Sequence, residues 1–236
     1  MDQIQQFAEY IDRSSSIVAT TGAGISVGGG GVTYGQMIFS RRGRRRGADE
    51  GSFLPTYLET MFSYQPSFAH YALADLEAEG KLTGIITTNV DCMHTIAGSK
   101  NVAEIQGSLQ VNCCSGCGRH YDGYEIWKQD ELPRCETCGG EILPWPLYSH
   151  IGLREADVRK ARNWIAKADL ILVIGTRGNF GDVYWEYRRR DAVIVQINPG
   201  RTGFDGVADL NIREGSDDVF RKLQAVRGNA PQGGTK

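Results

Sequence analysis

No apolar run in this chain of 236 residues approaches the roughly 18–20 residues that cross a bilayer. The opening 16 residues also lack the basic-then-apolar order of a secretory signal, so a cytoplasmic protein is expected. Charge of one sign is lacking too. The 26 Lys+Arg stand against 28 Asp+Glu, a formal net charge of −2. That balance provides no general attraction to polyanions, and neither nucleic acid nor a membrane is an expected partner. No internal repeat is visible. The length allows one domain with an insertion or two small ones, and it does not allow two large ones.

Cysteine is sparse, six residues in all, and a reducing compartment gives them no use as disulfides. Their spacing supplies another use. Cys114-x2-Cys117 and Cys135-x2-Cys138 lie 17 residues apart, the pattern of a four-thiolate tetrahedral zinc site. A redox CxxC would need only one of the pairs. Cys113, beside Cys114, is a competing ligand, and Cys92 reads as a buried apolar thiol.

Apolar positions at 4, 7, 8 and 11 recur at helical spacing, so a helix is expected over 2–13. Short β-branched or apolar runs at 16–21, 82–87, 170–174 and 192–197 read as buried strands, with helical patterns at 68–79, 155–168 and 216–226 between and after them. Such alternation predicts an α/β fold: a Rossmann-type parallel sheet with helices on both faces. The strands end in small or polar clusters at 22–26, 87–91, 175–179 and 198–200. Ligands of open α/β sheets sit at those ends, which predicts one shared site.

Gly22-x-Gly24 lets a backbone approach a pyrophosphate. The third glycine of the usual dinucleotide fingerprint is missing, Val27 standing in its place. The loop alone therefore reads equally as a cofactor site or as a tight structural turn.

The order and spacing of several motifs together resemble the sirtuins. These are GAGIS at 22–26, TTNVDCMHTIAG at 87–98, Gly107 after Gln106, the paired CxxC knuckles, GTRGN at 175–179, INPG at 197–200 and the closing pattern at 215–223. The resemblance implies an NAD-consuming enzyme with a structural zinc-ribbon module. It implies a discontinuous NAD-binding domain at 1–110 and 146–228, with a flexible or helical cofactor loop at 28–66, the zinc module at 111–145 and a flexible tail at 229–236. By the same resemblance Gly22, Ala23, Gly24, Ser26, Thr33, Tyr34, Gly175, Thr176, Asn179, Asn198 and Asp217 would bind the cofactor. Asn89, Asp91 and Gln106 would both bind it and carry the chemistry.

Lysine-deacylating sirtuins have histidine, a general base, before the glycine matched by Gly107. Here stands Gln106. A carboxamide can orient a ribose hydroxyl and cannot take its proton. The early loop reads Gly31-Val32-Thr33-Tyr34-Gly35 where the family has an Ile-Pro-Asp-Phe-Arg run, and residues 144–150 depart from the segment that lines the acyl-lysine channel. These features look like the macrodomain-linked class M sirtuins. That likeness implies transfer of ADP-ribose to a protein acceptor, a lipoyl carrier protein being one candidate, with a macrodomain hydrolase as partner. The alternatives are a lysine deacylase, an NAD or ADP-ribose sensor, and an NAD glycohydrolase.

Outside the motifs, the arginines at 41, 42, 44, 45 and 46 read as a solvated loop, as help for loop closure over NAD, or as a patch steering NAD, an acidic protein partner or nucleic acid. His94 reads as a packing residue. His150 reads as a surface histidine or as a replacement base near the cleft, and Arg177 as a partner for pyrophosphate or an acceptor carboxylate.

Overall fold

The computed structural model describes residues 2–31, 58, 59, 61–128, 131–150, 152–178 and 183–228. Thr33, Tyr34 and Asn179, the arginine run at 41–46 and the tail at 229–236 lie outside them.

Six strands form one parallel sheet in the order β3-β2-β1-β7-β8-β9. They are β1 (Ile17–Thr21), β2 (Leu82–Thr87), β3 (Val102–Glu104), β7 (Leu170–Ile174), β8 (Val193–Ile197) and β9 (Leu210–Ile212). The central strands β1 and β7 are buried at every position, as expected where helices cover both faces. Strand pleating divides each between two cores. Leu170, Leu172 and Ile174 join one apolar cluster, and Ile171 and Val173 the other.

The first face carries α1 (Gln3–Arg13), α2 (Phe68–Ala78) and, at the end of the chain, Ser216–Arg227. Ile4, Phe7 and Ile11 meet Val219, Phe220 and Leu223 there. Asp2 caps α1 by accepting from the Ile4 N–H at 3.4 Å. The second face is covered by Glu155–Ile165, through Val158, Ala161 and Ile165. Trp164 lies so close to β2 that a Cβ at Gly84 would come within 2.5 Å of its ring.

Between β3 and β7 the chain leaves the sheet and builds a second, antiparallel one in the order β5-β4-β6. Its strands are β4 (Val111–Cys114), β5 (His120–Asp122) and β6 (Ile142–Pro144). Asn112, fully buried, holds its base. The Asn112 amide donates to the carbonyls of Leu109 and Gly123, both at 3.1 Å, and accepts from Trp127 Nε1 at 3.0 Å. A third apolar cluster, including Cys92, Leu109, Trp127 and Ile142, joins this sheet to the large one.

The architecture is the α/β class predicted. The helix predicted over 155–168 stops at Ile165, where the chain turns toward β7. The edge strands β3 and β9 and the four-residue helices α3 (Met93–Ile96) and α4 (Trp145–Tyr148) were not predicted, because three or four residues are too few to show a period. For the helices that follow α4, Glu155–Ile165 is named α5 and Ser216–Arg227 α6.

Phe220 is enclosed, its ring meeting that of Phe7 edge-on with centroids 6.1 Å apart. Phe220→Ala is expected to lower the unfolding free energy by about 3–5 kcal/mol, read from urea denaturation. A loss below about 1 kcal/mol would mean that the α1–α6 face closes over the gap.

Candidate active site and thiolate centre

Because the strands of the large sheet are parallel, their carboxyl ends share one edge, and β1 and β7, adjacent in the sheet, leave it into separate turns. Gly22, Ala23 and Gly24 lead from β1 into a 3-10 turn, Ala23–Gly29, and Gly175 and Thr176 follow β7. The two turns touch backbone to backbone. The Gly24 N–H donates to the Gly175 carbonyl at 2.9 Å. A Cβ at Gly24 would lie 2.7 Å from Gly175 Cα, and one at Gly175 would lie 2.4 Å from the Ile25 nitrogen. Gly175 also has φ of +60°, a conformation that glycine adopts without strain.

The turn after β1 delivers Ser26 to the loop after β2. The Ser26 hydroxyl donates to Asp91 Oδ2 at 3.0 Å and lies 3.4 Å from Asn89 Nδ2, which also donates to the Gly22 carbonyl at 3.3 Å. Asp91 Oδ1 accepts from the Met93 N–H at 3.0 Å, and its Oδ2 from the Tyr64 hydroxyl at 3.3 Å. Ser26, Asn89 and Asp91 are all buried, so the two loops are joined by one polar cluster. Tyr64 was not singled out from the sequence.

Gln106 sits on the turn after β3. Gly107 makes that turn possible with φ of +66°, and its bare Cα rests on Trp145, whose Cδ1 would be 2.3 Å from a Cβ there. The Gln106 side chain is buried, yet among the described residues no protein group hydrogen-bonds its amide. An amide that can both donate and accept, with no protein partner among the described residues, suits a polar ligand.

Behind these groups lie ionisable side chains that the motifs did not reveal. Glu104 ends β3 and is buried, accepting from the Ser108 hydroxyl at 2.5 Å. Burial pushes its carboxyl up to about 7. The pattern Val102-Ala103-Glu104-Ile105 carried the signal, an acid within an apolar strand end. Cys92, next to Asp91, holds a left-handed backbone with φ of +63°, and burial pushes its thiol far up. His94, read as packing, is enclosed with Nε2 at 2.9 Å from Thr21 Oγ1, and its ring meets His70 at 4.5 Å between centroids. Burial lowers both imidazoles, His94 well below the histidine range.

Other predicted residues make their hydrogen bonds outside this cluster. Asn198, at the end of β8, donates to the Gly200 carbonyl at 2.8 Å, and the Thr176 hydroxyl accepts from the Gly178 N–H at 3.2 Å. The Asp217 carboxylate accepts from the N–H groups of Phe68 and Ala69 and so caps α2. Arg177 is exposed, and His150 is exposed with φ of +52°.

Cys114, Cys117, Cys135 and Cys138 bring their sulfurs within 4.8 Å of one another. The cradle fits a metal. The Gly116 N–H points at Cys114 Sγ at 3.3 Å, a Cβ at Gly140 would lie 2.9 Å from that sulfur, and the Tyr121 hydroxyl donates to Cys135 Sγ at 3.2 Å. That hydroxyl, foremost among several donors, draws the Cys135 thiol down to about 5, toward the thiolate a metal needs. The four cysteines are thus positioned to hold a structural zinc, with no position left for substrate. Cys113 faces His120 instead, at 3.6 Å.

A parallel sheet with its polar cluster at the carboxyl edge, joined to a four-thiolate ribbon, defines a dinucleotide-site architecture with a zinc module. The model of the Sir2 family matches residues 33–180, and the chain belongs to that family, the sirtuins. It is 34% identical to an NAD-dependent protein deacetylase of Pyrobaculum aerophilum, over 94% of this chain and 94% of the relative. It is 30% identical to an NAD-dependent protein deacylase of Archaeoglobus fulgidus, over 93% and 96%. The structure superimposes on that of a Sir2 homologue in complex with NAD with a TM-score of 0.75, at 29% identity, over 97% of this chain and 94% of the other.

Elemental analysis is expected to find a single zinc per chain, and Cys135→Ser is expected to lose it together with cooperative unfolding of the small sheet. Full metal content in that variant would assign the zinc elsewhere.

The histidine pair sets a pH dependence. Above about pH 6.5 both rings are neutral in the folded and the unfolded chain. Below it the unfolded chain takes up protons more readily than the two rings that burial holds down, so stability falls. Glu104 opposes this, because the fold keeps its proton up to about pH 7. Two rings against one carboxyl leave stability falling, on balance, as the pH drops below about 6.5. His94→Gln is expected to flatten that slope in urea titrations. An unchanged slope would place its source outside the pair.

Proposed function

We propose that this protein binds NAD along the carboxyl edge of the sheet and breaks the bond between nicotinamide and ribose, passing the ADP-ribosyl carbon to an acceptor on a protein. The observation that carries this reading is the buried cluster of Ser26, Asn89 and Asp91 at the carboxyl edge of the sheet, together with a Gln106 on the turn after β3 whose amide makes no hydrogen bond among the described residues. NAD supplies a leaving group that departs as neutral nicotinamide with the electron pair of the C–N bond. The glycines 22, 24 and 175, with Ala23 and Thr176, would take the phosphates, Asn89 and Asp91 the nicotinamide side, Gln106 the ribose hydroxyls and Asn198 the adenosine ribose. Residues 111–145 would form the zinc module and the rest of the fold the NAD domain.

The names of the curated relatives support an acylated lysine as the acceptor, ahead of the ADP-ribosyl transfer to protein expected from the sequence. In the deacylase reading the acyl oxygen captures the ribosyl carbon, water adds at the acyl carbon as the amide C–N bond breaks, the lysine leaves as the free amine, and the acyl group ends on an ADP-ribose hydroxyl. The second reading rests on Gln106. Without a general base at that position a ribose hydroxyl keeps its proton, and direct transfer to a protein nucleophile, as in class M sirtuins acting on a lipoyl carrier, needs no such base on the ribose.

Mass spectrometry after incubation with NAD, an acetyl-lysine peptide and a lipoylated carrier protein separates these readings. The deacylase is expected to yield O-acetyl-ADP-ribose in step with nicotinamide, and Gln106→His is expected to raise that rate by about 10²–10⁴. An ADP-ribose adduct on the carrier, with no acetyl product, selects the transferase. Intact NAD in every mixture would overturn both.

A further inference from the structure

Glu104 is a buried carboxyl that neither reading uses. It lies at the carboxyl end of β3, two residues before Gln106, and its carbonyl closes the turn by accepting from the Gly107 N–H at 2.7 Å. Its carboxylate is held by Ser108 from the far side of the same turn. The charged groups around it come from three directions. Asp91 stands on the loop after β2, beside Cys92. Asp157 and Arg154 face it from the start of α5, where Asp157 is itself paired with Arg154 and Lys160. The Arg154 charge is therefore shared with Asp157, and no lysine or arginine is dedicated to Glu104 among the described residues.

We infer that Glu104 is a positioning residue of the NAD site, a single carboxyl under the Asp91 loop and the Gln106 turn whose charge state sets how strongly the site favours positive charge at the nicotinamide ribose. This inference rests on the NAD-cleaving reading. With the carboxyl neutral, Asp91 is the one anion of the cluster formed with Ser26 and Asn89. With it ionised, a second buried anion faces the same region, where the nicotinamide ring of NAD is cationic and where positive charge grows on the ribosyl carbon as the C–N bond breaks. Opposite charges in a low-dielectric interior attract strongly. The proton of Glu104 goes to solvent before NAD binds, so the step consumes no co-reactant. Ser108 tunes the equilibrium, because its hydroxyl donates more strongly to the carboxylate than to the neutral acid and so favours the ionised form.

The test compares the whole protein with Glu104→Gln and Ser108→Ala between about pH 5.5 and pH 8.5. Two quantities are read: the rate of nicotinamide release, and the affinity for NAD divided by that for ADP-ribose, which lacks the cationic ring. In the unaltered protein both are expected to rise about tenfold through neutrality. Glu104→Gln is expected to remove that rise in both while ADP-ribose affinity stays level. Ser108→Ala keeps the carboxyl and is expected to shift the midpoint upward, a displacement that a merely structural role would not produce. An affinity ratio that rises equally in the unaltered protein and in Glu104→Gln, or a midpoint unmoved in Ser108→Ala, would overturn the inference. An absence of nicotinamide release with the affinity ratio behaving as expected would count against the cleaving reading alone.

Discussion

The contact between Gly24 and Gly175 is the constraint on which the site depends. Two adjacent parallel strands must release their chains at one edge, and the turns meet so closely that no Cβ fits between them. Their backbone bond at 2.9 Å fixes where the 3-10 turn begins and so where Ser26 points. Ser26 then fixes Asp91 and Asn89, which belong to a different strand end. A methyl group at either glycine would therefore disturb groups it never touches. The route of that disturbance is a rigid backbone, which shifts as a unit because packed interiors do not deform gradually.

The small sheet hangs from an equally local device. Asn112 satisfies its amide with backbone carbonyls and the Trp127 indole, so a polar side chain is buried without an unpaired group. The apolar cluster around Leu109 and Trp127 joins the ribbon to the loop that carries Cys92 and Asp91. The metal centre and the polar cluster thus share a wall, and ordering of the ribbon supports the floor of the site without supplying any chemistry to it.

The sequence made the sheet and the thiolate set legible because each has a short, rigid signature. Leu170–Ile174 is apolar at each position, as a strand covered on both faces must be, and paired CxxC knuckles leave few uses other than a metal. The glycine turn was ambiguous, and the structure shows why: Gly22 and Gly24 answer to the approach of Gly175, a contact between residues about 150 positions apart that no local pattern records. Asp217, which its motif points toward the cofactor, also accepts from the first turn of α2, a partnership about 150 positions away that no local pattern records. Tyr64, Glu104 and Ser108 were silent because burial and partners, rather than residue type, give them their character. The apolar neighbours of Glu104 were the only local hint.

Cys92 and Cys113 are both buried with their thiols held in the protonated form, burial being the main cause in each. The remaining four sulfurs are gathered at the metal centre. The folded, zinc-loaded protein is therefore nearly silent to electrophiles and oxidants, which react with free thiolates. Six cysteines would ordinarily make a chain sensitive to oxidation. Here the distribution of those residues converts thiol reactivity into a gauge of metal occupancy: alkylation at the five ribbon cysteines, Cys113 of β4 included, reports an emptied ribbon, and alkylation reaching Cys92 as well reports loss of the fold itself.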